Sequence, residues 1–175
     1  MPLCCELKTI TFAIQHAIMK IEKAQIADSA ILTDITYKGK AFWGYSPEQL
    51  EKWKNELTIS PEYIEKHEAY KLLIGEEIVG YYSFLKMDDG TIKLDDIFLL
   101  PEYIGKGYGK ILMLDCIEKS KLLFAKRIIL DAEPNAEGFY QHFGFETYNR
   151  LESSIKGRLL PQMELYLMDP ERDIK

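Results

Sequence analysis

Cysteine is scarce in this chain, and its few cysteines show no ligand or disulfide spacing. Cys4 and Cys5 are adjacent, and Cys116 stands alone. An odd number of cysteines without a C-x-x-C pattern argues against both a disulfide framework and a zinc site. We therefore expect free thiols, no metal and a cytoplasmic location, because disulfides rarely persist in that compartment.

An excess of basic residues and long apolar segments are lacking as well. The 22 lysines and arginines are outnumbered by 28 acidic residues, which gives a net charge of −6. This balance argues against nucleic acid as the main partner and is compatible with a cationic ligand such as an amine. No stretch approaches the roughly 18 apolar residues of a membrane span, so no membrane partner is expected. Residues 1–18 show no clear signal-peptide cleavage site.

The apolar pattern predicts a single mixed α/β domain. A chain of 175 residues suits one domain, and 47% hydrophobic residues are ordinary for a globular protein. We take residues 1–18 as an N-terminal extension and residues 19–175 as the domain. Strands are expected at 19–24, 69–74, 78–85, 92–100, 127–131, 145–151 and 162–168.

Helices are expected between these strands, at 28–38, 46–57, after Ser60, at 107–123 and at 136–143. Ser46 followed by Pro47 is a strong helix start, and Leu50, Trp53 and Leu57 would share one face of a continuous helix. The helix after Gly107 would bury one face, formed by Leu112, Met113, Cys116, Ile117 and Ser120.

A glycine-rich loop joins the strand at 92–100 to the helix at 107–123. Glycines at 105, 107 and 109 allow close backbone approach to a ligand, and the start of the following helix attracts anions. The spacing Gly-x-Gly-x-Gly does not match the dinucleotide fingerprint, and Ile111 after Lys110 does not match a P-loop. A phosphate-bearing ligand is one interpretation, and a simple strand-to-helix turn is the other.

The loop resembles the pyrophosphate loop of GNAT-type acetyltransferases, with Ile104 at a position that is often Arg or Gln. A second stretch, from Asp131 to Phe145, resembles the family segment that ends in Tyr-x-x-x-Gly-Phe. Ala41-Phe42-Trp43-Gly44-Tyr45 and Ser154-Ile155-Lys156-Gly157-Arg158-Leu159-Leu160-Pro161 are similar to one bacterial-type branch. The resemblance runs in order over about residues 19–168. It implies the GNAT fold, a mostly antiparallel central sheet flanked by helices.

The resemblance implies acetyl-CoA as the cofactor, held largely by main-chain groups. N–H groups of residues 105–110 would bind the pyrophosphate, and the main chain of Leu99 and Leu100 would pair with the pantetheine arm. The family asparagine seven residues before the tyrosine is Glu133 here, with Asn135 two residues later. The candidate cofactor-binding residues are Leu99, Leu100, Gly105, Lys106, Gly107, Tyr108, Gly109, Lys110, Asn135 and Tyr140.

The resemblance also implies catalytic roles. Tyr140 matches the tyrosine that protonates the departing thiolate, although a tyrosine that packs a helix on the sheet is the alternative. Asp95 and Asp96 are candidate bases that would remove a proton from the amine. Because successive strand residues face opposite sides, only one is expected to face the cleft, and a bulge would decide which. Either aspartate could instead be solvated or paired with a lysine.

Trp43, Tyr45 and Arg158 are the candidate substrate-binding residues. The two aromatic residues could equally pack a helical corner, and Arg158 could hold an acceptor carboxylate or fix its own loop. His16, His67 and His142 are assigned no role, and His142 is expected to face away from Tyr140.

Together these observations predict an N-acetyltransferase. It would transfer the acetyl group of acetyl-CoA to a primary amine of a small molecule by direct attack in a ternary complex. One alternative is a non-catalytic acyl-CoA-binding or sensing protein of the same fold, which would not depend on Tyr140. Another is a protein or peptide acetyltransferase, which needs an open groove. A homodimer is neither supported nor excluded by the sequence.

Overall fold

The computed structural model describes residues 19–167, which form one seven-stranded sheet flanked by helices. The extension 1–18 with Cys4, Cys5 and His16, and the end 168–175, lie outside the described residues, so the boundary at residue 18 stays a prediction. The strands are β1 (Met19–Lys23), β2 (Glu68–Ile74), β3 (Glu77–Lys86), β4 (Thr91–Leu99), β5 (Arg127–Asp131), β6 (Glu146–Glu152) and β7 (Leu159–Tyr166).

In the part of the chain that the structure describes, six helices connect the strands: α1 (Ser29–Ala41), α2 (Pro47–Lys52), α3 (Lys54–Leu57), α4 (Pro61–Lys66), α5 (Tyr108–Leu122) and α6 (Glu137–Gln141). Short 3-10 turns occupy Ile26–Asp28, Pro101–Tyr103 and Pro134–Ala136. Within residues 19–167, no helix is long and apolar enough to cross a bilayer.

The strand order is β1-β2-β3-β4-β5-β7-β6, and every neighbouring pair is antiparallel except β4 with β5. The predicted antiparallel meander that leads into the glycine loop is therefore confirmed. Two parallel strands need a long crossover connection, and α5 provides it between β4 and β5. The sheet is mixed and mostly antiparallel, as expected.

Helices cover both faces of the sheet. The inner face of α5, including Met113 and Cys116, packs with Tyr82 of β3 in the larger core, as its apolar face predicts. Leu32 and Ile35 of α1 pack with Tyr81 in a second core. Tyr81 and Tyr82 are consecutive in a strand and so point to opposite faces. Burial raises the pKa of the Cys116 thiol to about 12, so this group behaves as a small apolar side chain.

The expected helix at 46–57 is broken in two at Trp53. Its start is as predicted, since the Ser46 hydroxyl accepts a hydrogen bond from the amide of Gln49. Trp53 leaves the helical region at φ −91° and ψ 8°, and its indole N–H donates to the Ser154 hydroxyl at 3.0 Å. A contact across 101 residues of chain thus fixes the side chain, and local pattern could not reveal it.

Replacing Gly39 with alanine should loosen α1 from the sheet. An added Cβ would lie 2.8 Å from the Phe98 ring and 3.2 Å from the Leu99 carbonyl oxygen. Overpacking of this kind costs about 1–3 kcal/mol, which outweighs the roughly 1 kcal/mol that alanine gains over glycine in a helix. We expect Gly39→Ala to lower the free energy of unfolding, measured by chemical denaturation.

The control is Gly138→Ala, also in a helix, where an added Cβ meets nothing within 4 Å. That variant should be as stable as the parent or slightly more so. Equal destabilisation by both substitutions would contradict the close packing of α1 on β4.

Candidate functional site

A cleft opens where β4 and β5 separate. The two strands pair only between Thr91–Lys93 and Arg127–Ile129, yet β4 continues to Leu99 and β5 to Asp131. A cavity of about 740 Å³ fills the opening, a size typical of small-molecule and cofactor sites. It is lined by Gly39, Lys40, Trp43, Leu57, 95–99, Ile104, Gly105, Gly107, Gly109, Lys110, Asp131, Glu133, Asn135, Ala136, Phe139, Tyr140, His142 and Phe143.

The glycine loop closes one end of the cleft. Gly105 and Gly107 have φ values of 77° and 90°, which favour glycine, and an added Cβ at either would meet nothing within 4 Å. The empty space beside them is therefore available to a ligand. Gly107 is the N-cap of α5, so the N–H groups at the start of this 15-residue helix have no intrahelical partner. The arrangement suits a phosphate group.

The residues of the loop differ in how they meet the cleft. Lys110 lines it, whereas Lys106 and Tyr108 are absent from its described walls. The Lys106 ammonium lies over the Tyr103 ring at 5.7 Å, and Tyr108 packs edge-to-face on the same ring. The Lys106 and Tyr108 side chains therefore support the loop, while their backbone stays next to the glycines.

The main chain of β4 presents a free edge to the cleft. Leu99 pairs with Gly80, and the Leu100 amide donates to the Val79 carbonyl at 2.9 Å. This pattern makes Leu99–Gly80 a non-hydrogen-bonded pair, so the N–H and C=O of Leu99 point away from β3. The N–H of Leu100 is used by Val79 and is not free for a ligand, whereas its carbonyl accepts from Tyr103 and keeps a second lone pair, so its contact with a cofactor stays a prediction.

A β-bulge decides how the two candidate bases are placed. Ser83 pairs with Asp96 and Phe84 with Leu94, so Asp95 is the extra residue between them. Both aspartates consequently line the cleft, and the expectation that only one would do so is wrong. The Asp95 carboxylate accepts from His67 Nε2 at 2.8 Å and lies 3.8 Å from the Lys93 ammonium.

Asp96 is more buried than Asp95. Its Oδ2 accepts from the Tyr63 hydroxyl at 2.5 Å and from Ser83 at 3.2 Å. Burial raises the pKa of Asp96, and although the Tyr63 hydrogen bond works against that effect, the pKa stays above its usual range. A carboxyl with a raised pKa is a better proton acceptor at neutral pH than an exposed aspartate.

Tyr140 lies in α6 and lines the cleft with only 8% of its surface exposed. Burial first, and the charge of Asp96 second, raise the pKa of its phenol, so it stays protonated at neutral pH. Among residues 19–167 its hydroxyl has no hydrogen-bond partner. The cleft thus brings together a carboxyl that can take a proton and a phenol that can give one.

A buried ion cluster links three segments at the other end of the cleft. Glu133 accepts from Lys40 at 2.8 Å, from Arg158 at 2.7 Å and from the Tyr45 hydroxyl at 2.7 Å. Burial alone would raise the pKa of Glu133, but these hydrogen bonds and cationic charges lower it below its usual range. Burial and Glu133 raise the pKa of Tyr45 to about 12. Glu133 is therefore the ionised centre that holds the segments together.

The candidate substrate-binding residues divide between the cleft and this cluster. Trp43 lines the cleft, whereas Tyr45 lines neither described cavity and packs edge-to-face on Trp53, which corrects its expected place in a pocket wall. Arg158 borders a second cavity of about 390 Å³, which shares Lys40 and Glu133 with the cleft. The contact with Glu133 is the loop-fixing role that the sequence left open for Arg158.

Several residues that shape the site were not singled out from the sequence. Tyr63, Ser83 and His67 surround the two aspartates, and His142, expected to face away from Tyr140, borders the same cleft. Tyr63 and Asp96 are separated by 33 residues. No local pattern signals that contact, because it depends on the packing of α4 on β3 and on the bulge. Asn135, which lies two residues after the family asparagine position, also lines the cleft.

Comparison with known proteins gives one consistent family. Residues 41–167 match the model of the acetyltransferase (GNAT) domain. The uncharacterised N-acetyltransferase YvbK of Bacillus subtilis is 36% identical over 90 residues, which cover 50% of this chain and 58% of that protein. The glucosamine 6-phosphate N-acetyltransferase of Trypanosoma brucei is 33% identical over 57 residues, or 33% of this chain and 39% of that protein. The chain thus spans about 58% or less of the length of these two relatives.

Solved structures share the fold over most of the chain. The PaiA N-acetyltransferase of Thermoplasma acidophilum in complex with coenzyme A has a TM-score of 0.71 at 21% identity, covering 85% of this chain and 99% of that one. A Bacillus subtilis acetyltransferase in complex with CoA has a TM-score of 0.64 at 23% identity, covering 86% of this chain and 100% of that one.

Replacing Glu133 with glutamine should destabilise the fold. The substitution leaves the Lys40 and Arg158 side chains, which are only 17% and 14% exposed, without their carboxylate. Removal of one partner from a buried charge pair costs on the order of 3 kcal/mol. The expected loss in the free energy of unfolding is of that size, measured by denaturant titration near pH 7.

Glu118→Gln is the matched control, because its pair with Lys121 is 67% and 51% exposed. Surface pairs contribute little, so this variant should lose well under 1 kcal/mol. If both variants were equally stable, the Glu133 cluster would have no structural importance.

Proposed function

The chain belongs to the GNAT acetyltransferase family, and on that premise we propose that it transfers the acetyl group of acetyl-CoA to a primary amine of a small molecule. The observation that carries the proposal is the convergence on one cleft of an anion-binding helix start, an unpaired strand edge, a buried aspartate and a protonated tyrosine. Each of these features answers one requirement of acetyl transfer.

The loop and β4 would hold the cofactor. The space beside Gly105 and Gly107 and the free N–H groups at the start of α5 fit a pyrophosphate. The outward N–H and C=O of Leu99 fit a peptide-like arm that adds to the strand edge. Lys110 and Asn135 add polar contacts from the cleft walls. When bound, acetyl-CoA supplies the activated thioester carbonyl.

Asp96 is the residue to which we assign the base. It would take a proton from the ammonium of the acceptor, directly or through one water molecule, and so free the nitrogen lone pair for attack on the thioester carbonyl. Asp95 is less suited to that role, because both of its oxygens have partners: His67 lies at Oδ2 and the Lys93 ammonium lies 3.8 Å from Oδ1. Tyr140 would give its proton to the thiolate as the carbon–sulfur bond breaks. The two groups face one cleft, which supports direct attack in a ternary complex.

The acceptor would enter beside Trp43, where the cleft meets the second cavity. Lys40, Asp131 and Glu133 line both spaces, so this end is polar and carries charges of both signs. A direct contact between Arg158 and the acceptor remains part of the proposal and would require room beside Glu133. The cytoplasmic location and a homodimer stay sequence-based proposals.

The proposal is tested by an amine panel. Release of CoA thiol from acetyl-CoA is followed with amino sugars, their phosphates, amino acids, diamines and a lysine-containing peptide. Turnover of a small amine but not of the peptide supports the proposed acceptor class. Turnover of the peptide alone would favour a peptide acetyltransferase, and tight acetyl-CoA binding without any turnover would favour a sensing protein.

Gly107→Glu should abolish CoA binding. The residue has φ +90°, and the space into which its side chain would project is the space proposed for phosphate, so the substitution adds strain, bulk and negative charge together. Calorimetric titration with CoA should show at least a ~100-fold weaker affinity.

Gly90→Glu is the control for backbone strain alone. Gly90 has φ +83° and lies before Thr91, at the opposite end of β4 from the loop. This variant should bind CoA as the parent does. Unchanged affinity in Gly107→Glu would overturn the assignment of the loop.

Tyr140→Phe should slow turnover without weakening CoA binding. The substitution removes only the hydroxyl that would protonate the thiolate, and a general acid of this kind typically contributes about 10²–10⁴-fold. We expect kcat to fall by at least about 10²-fold with a nearly unchanged Kd for CoA. Tyr148→Phe, an exposed tyrosine of β6, serves as the control. Full activity of Tyr140→Phe would remove this residue from the mechanism.

A further inference from the structure

Tyr63 lies directly behind the aspartate assigned as the base. It belongs to α4, where the Ser60 hydroxyl caps the helix by accepting from the Tyr63 amide at 3.1 Å. Its ring stacks on His67, with centroids 3.6 Å apart and an interplanar angle of 11°. The helix cap and the stacked ring therefore fix both the backbone and the ring of Tyr63, whose hydroxyl contacts Asp96.

The Tyr63 hydroxyl, the Ser83 hydroxyl and Asp96 Oδ2 form a triangle of close polar contacts. It lies 2.7 Å from the Ser83 hydroxyl and 2.5 Å from Asp96 Oδ2, and Ser83 lies 3.2 Å from the same Oδ2. An ionised carboxylate only accepts, so Tyr63 donates to Asp96, and a bond of this length to a charged group is a strong one. Burial and the Asp96 charge raise the pKa of Tyr63, so it keeps its proton and remains the donor.

The two carboxylate oxygens of Asp96 differ in their hydrogen bonding. Within residues 19–167, the hydrogen bonds from the Tyr63 and Ser83 hydroxyls to this carboxylate both fall on Oδ2. The nearby Tyr81 hydroxyl lies 2.6 Å from the Thr36 hydroxyl, which donates its own proton to Leu32. Oδ1 receives neither the Tyr63 nor the Ser83 contact, and Asp96 lines the cleft. Oδ1 is therefore the oxygen available to receive a proton.

We propose that Tyr63 is the positioning residue of the base: it anchors Oδ2 of Asp96, leaves Oδ1 for the acceptor, and sets the pH at which Asp96 becomes ionised. This inference rests on the proposed function. In the step concerned, an N–H bond of the acceptor ammonium breaks and an O–H bond forms at Oδ1. Tyr63 keeps its own proton throughout and touches neither substrate.

Other ionisable groups also face Asp96, and the test must leave them intact. Asp95 is its neighbour in β4, and His67 reaches Asp95 with Nε2 and the Tyr63 carbonyl with Nδ1. Tyr81 of β3 and Tyr140 of α6 are also near Asp96, whose charge raises the pKa of both phenols. Tyr63→Phe keeps the ring that stacks on His67 and removes only the hydroxyl, so it removes the contacts of that hydroxyl with Asp96 and Ser83 and changes no charge.

The kinetic test compares pH profiles of kcat/KM, with an amine that the panel identifies. A base is active only when ionised, so activity falls as the pH drops through the pKa of Asp96. Loss of the Tyr63 hydrogen bond removes stabilisation of the ionised form, so the acidic limb should move up by about one pH unit. The KM for acetyl-CoA should stay within about twofold of the parent value.

Tyr70→Phe is the matched control, because Tyr70 also donates its hydroxyl to a carboxylate, that of Glu68, and stacks on Tyr82 on the opposite face of the sheet. Its profile should superimpose on that of the parent. Thermal unfolding of each variant confirms that the fold is retained. An acidic limb that stays in place in Tyr63→Phe, while Asp96→Asn is inactive, overturns the proposal.

A second measurement does not depend on turnover. Carbon-13 NMR of labelled aspartate, with the Asp96 carboxyl assigned from Asp96→Asn, gives its titration directly in each variant. The Asp96 midpoint should rise by about one pH unit in Tyr63→Phe and stay unchanged in Tyr70→Phe. An unchanged midpoint in Tyr63→Phe refutes the inference even if the enzyme is active. If no amine is acetylated, the proposed function fails, whereas this titration still decides whether Tyr63 controls the protonation of Asp96.

Discussion

The early separation of β4 from β5 is the constraint on which the rest of this structure depends. The two strands are parallel, so the chain must cross over between them, and α5 is that crossover. The crossover begins at the end of β4, which places the positive start of a helix beside an unpaired strand edge. A cavity, an anion site and a row of free main-chain groups therefore arise together from one topological feature.

The ionisable groups around the cleft lie in two different electrostatic environments. Asp96 and Tyr140 are both shielded from water, and burial raises the pKa of both groups. The raised pKa makes Asp96 a better proton acceptor and keeps Tyr140 protonated, so that it can donate. Glu133, in contrast, is kept ionised by Lys40 and Arg158 and joins α1 to the loops after β5 and β6. The chemistry of the proposed site thus depends on two carboxyl groups, Asp96 and Glu133, whose environments shift their pKa values in opposite directions.

The sequence predicted those features that depend on local pattern. The positive-φ glycines, the buried face of α5, the meander and the place of Tyr140 all follow from periodicity, glycine spacing and motif context. The bulge at Asp95 did not, because it shifts a register that pattern alone leaves open, and both aspartates line the cleft as a result. The break at Trp53 and the contact between Tyr63 and Asp96 depend on partners 101 and 33 residues away, which no local signal encodes.

The most direct test of the central claim is an NMR titration of the backbone amides with CoA. If CoA binds in this cleft, large shifts are expected for the amides of Leu99 and of residues 107–110, which line the free edge of β4 and the start of α5. The amide of Gly75, in the turn between β2 and β3, should not move. Shifts confined to other surfaces, or none at saturating CoA, would contradict the claim that this cleft is the cofactor site.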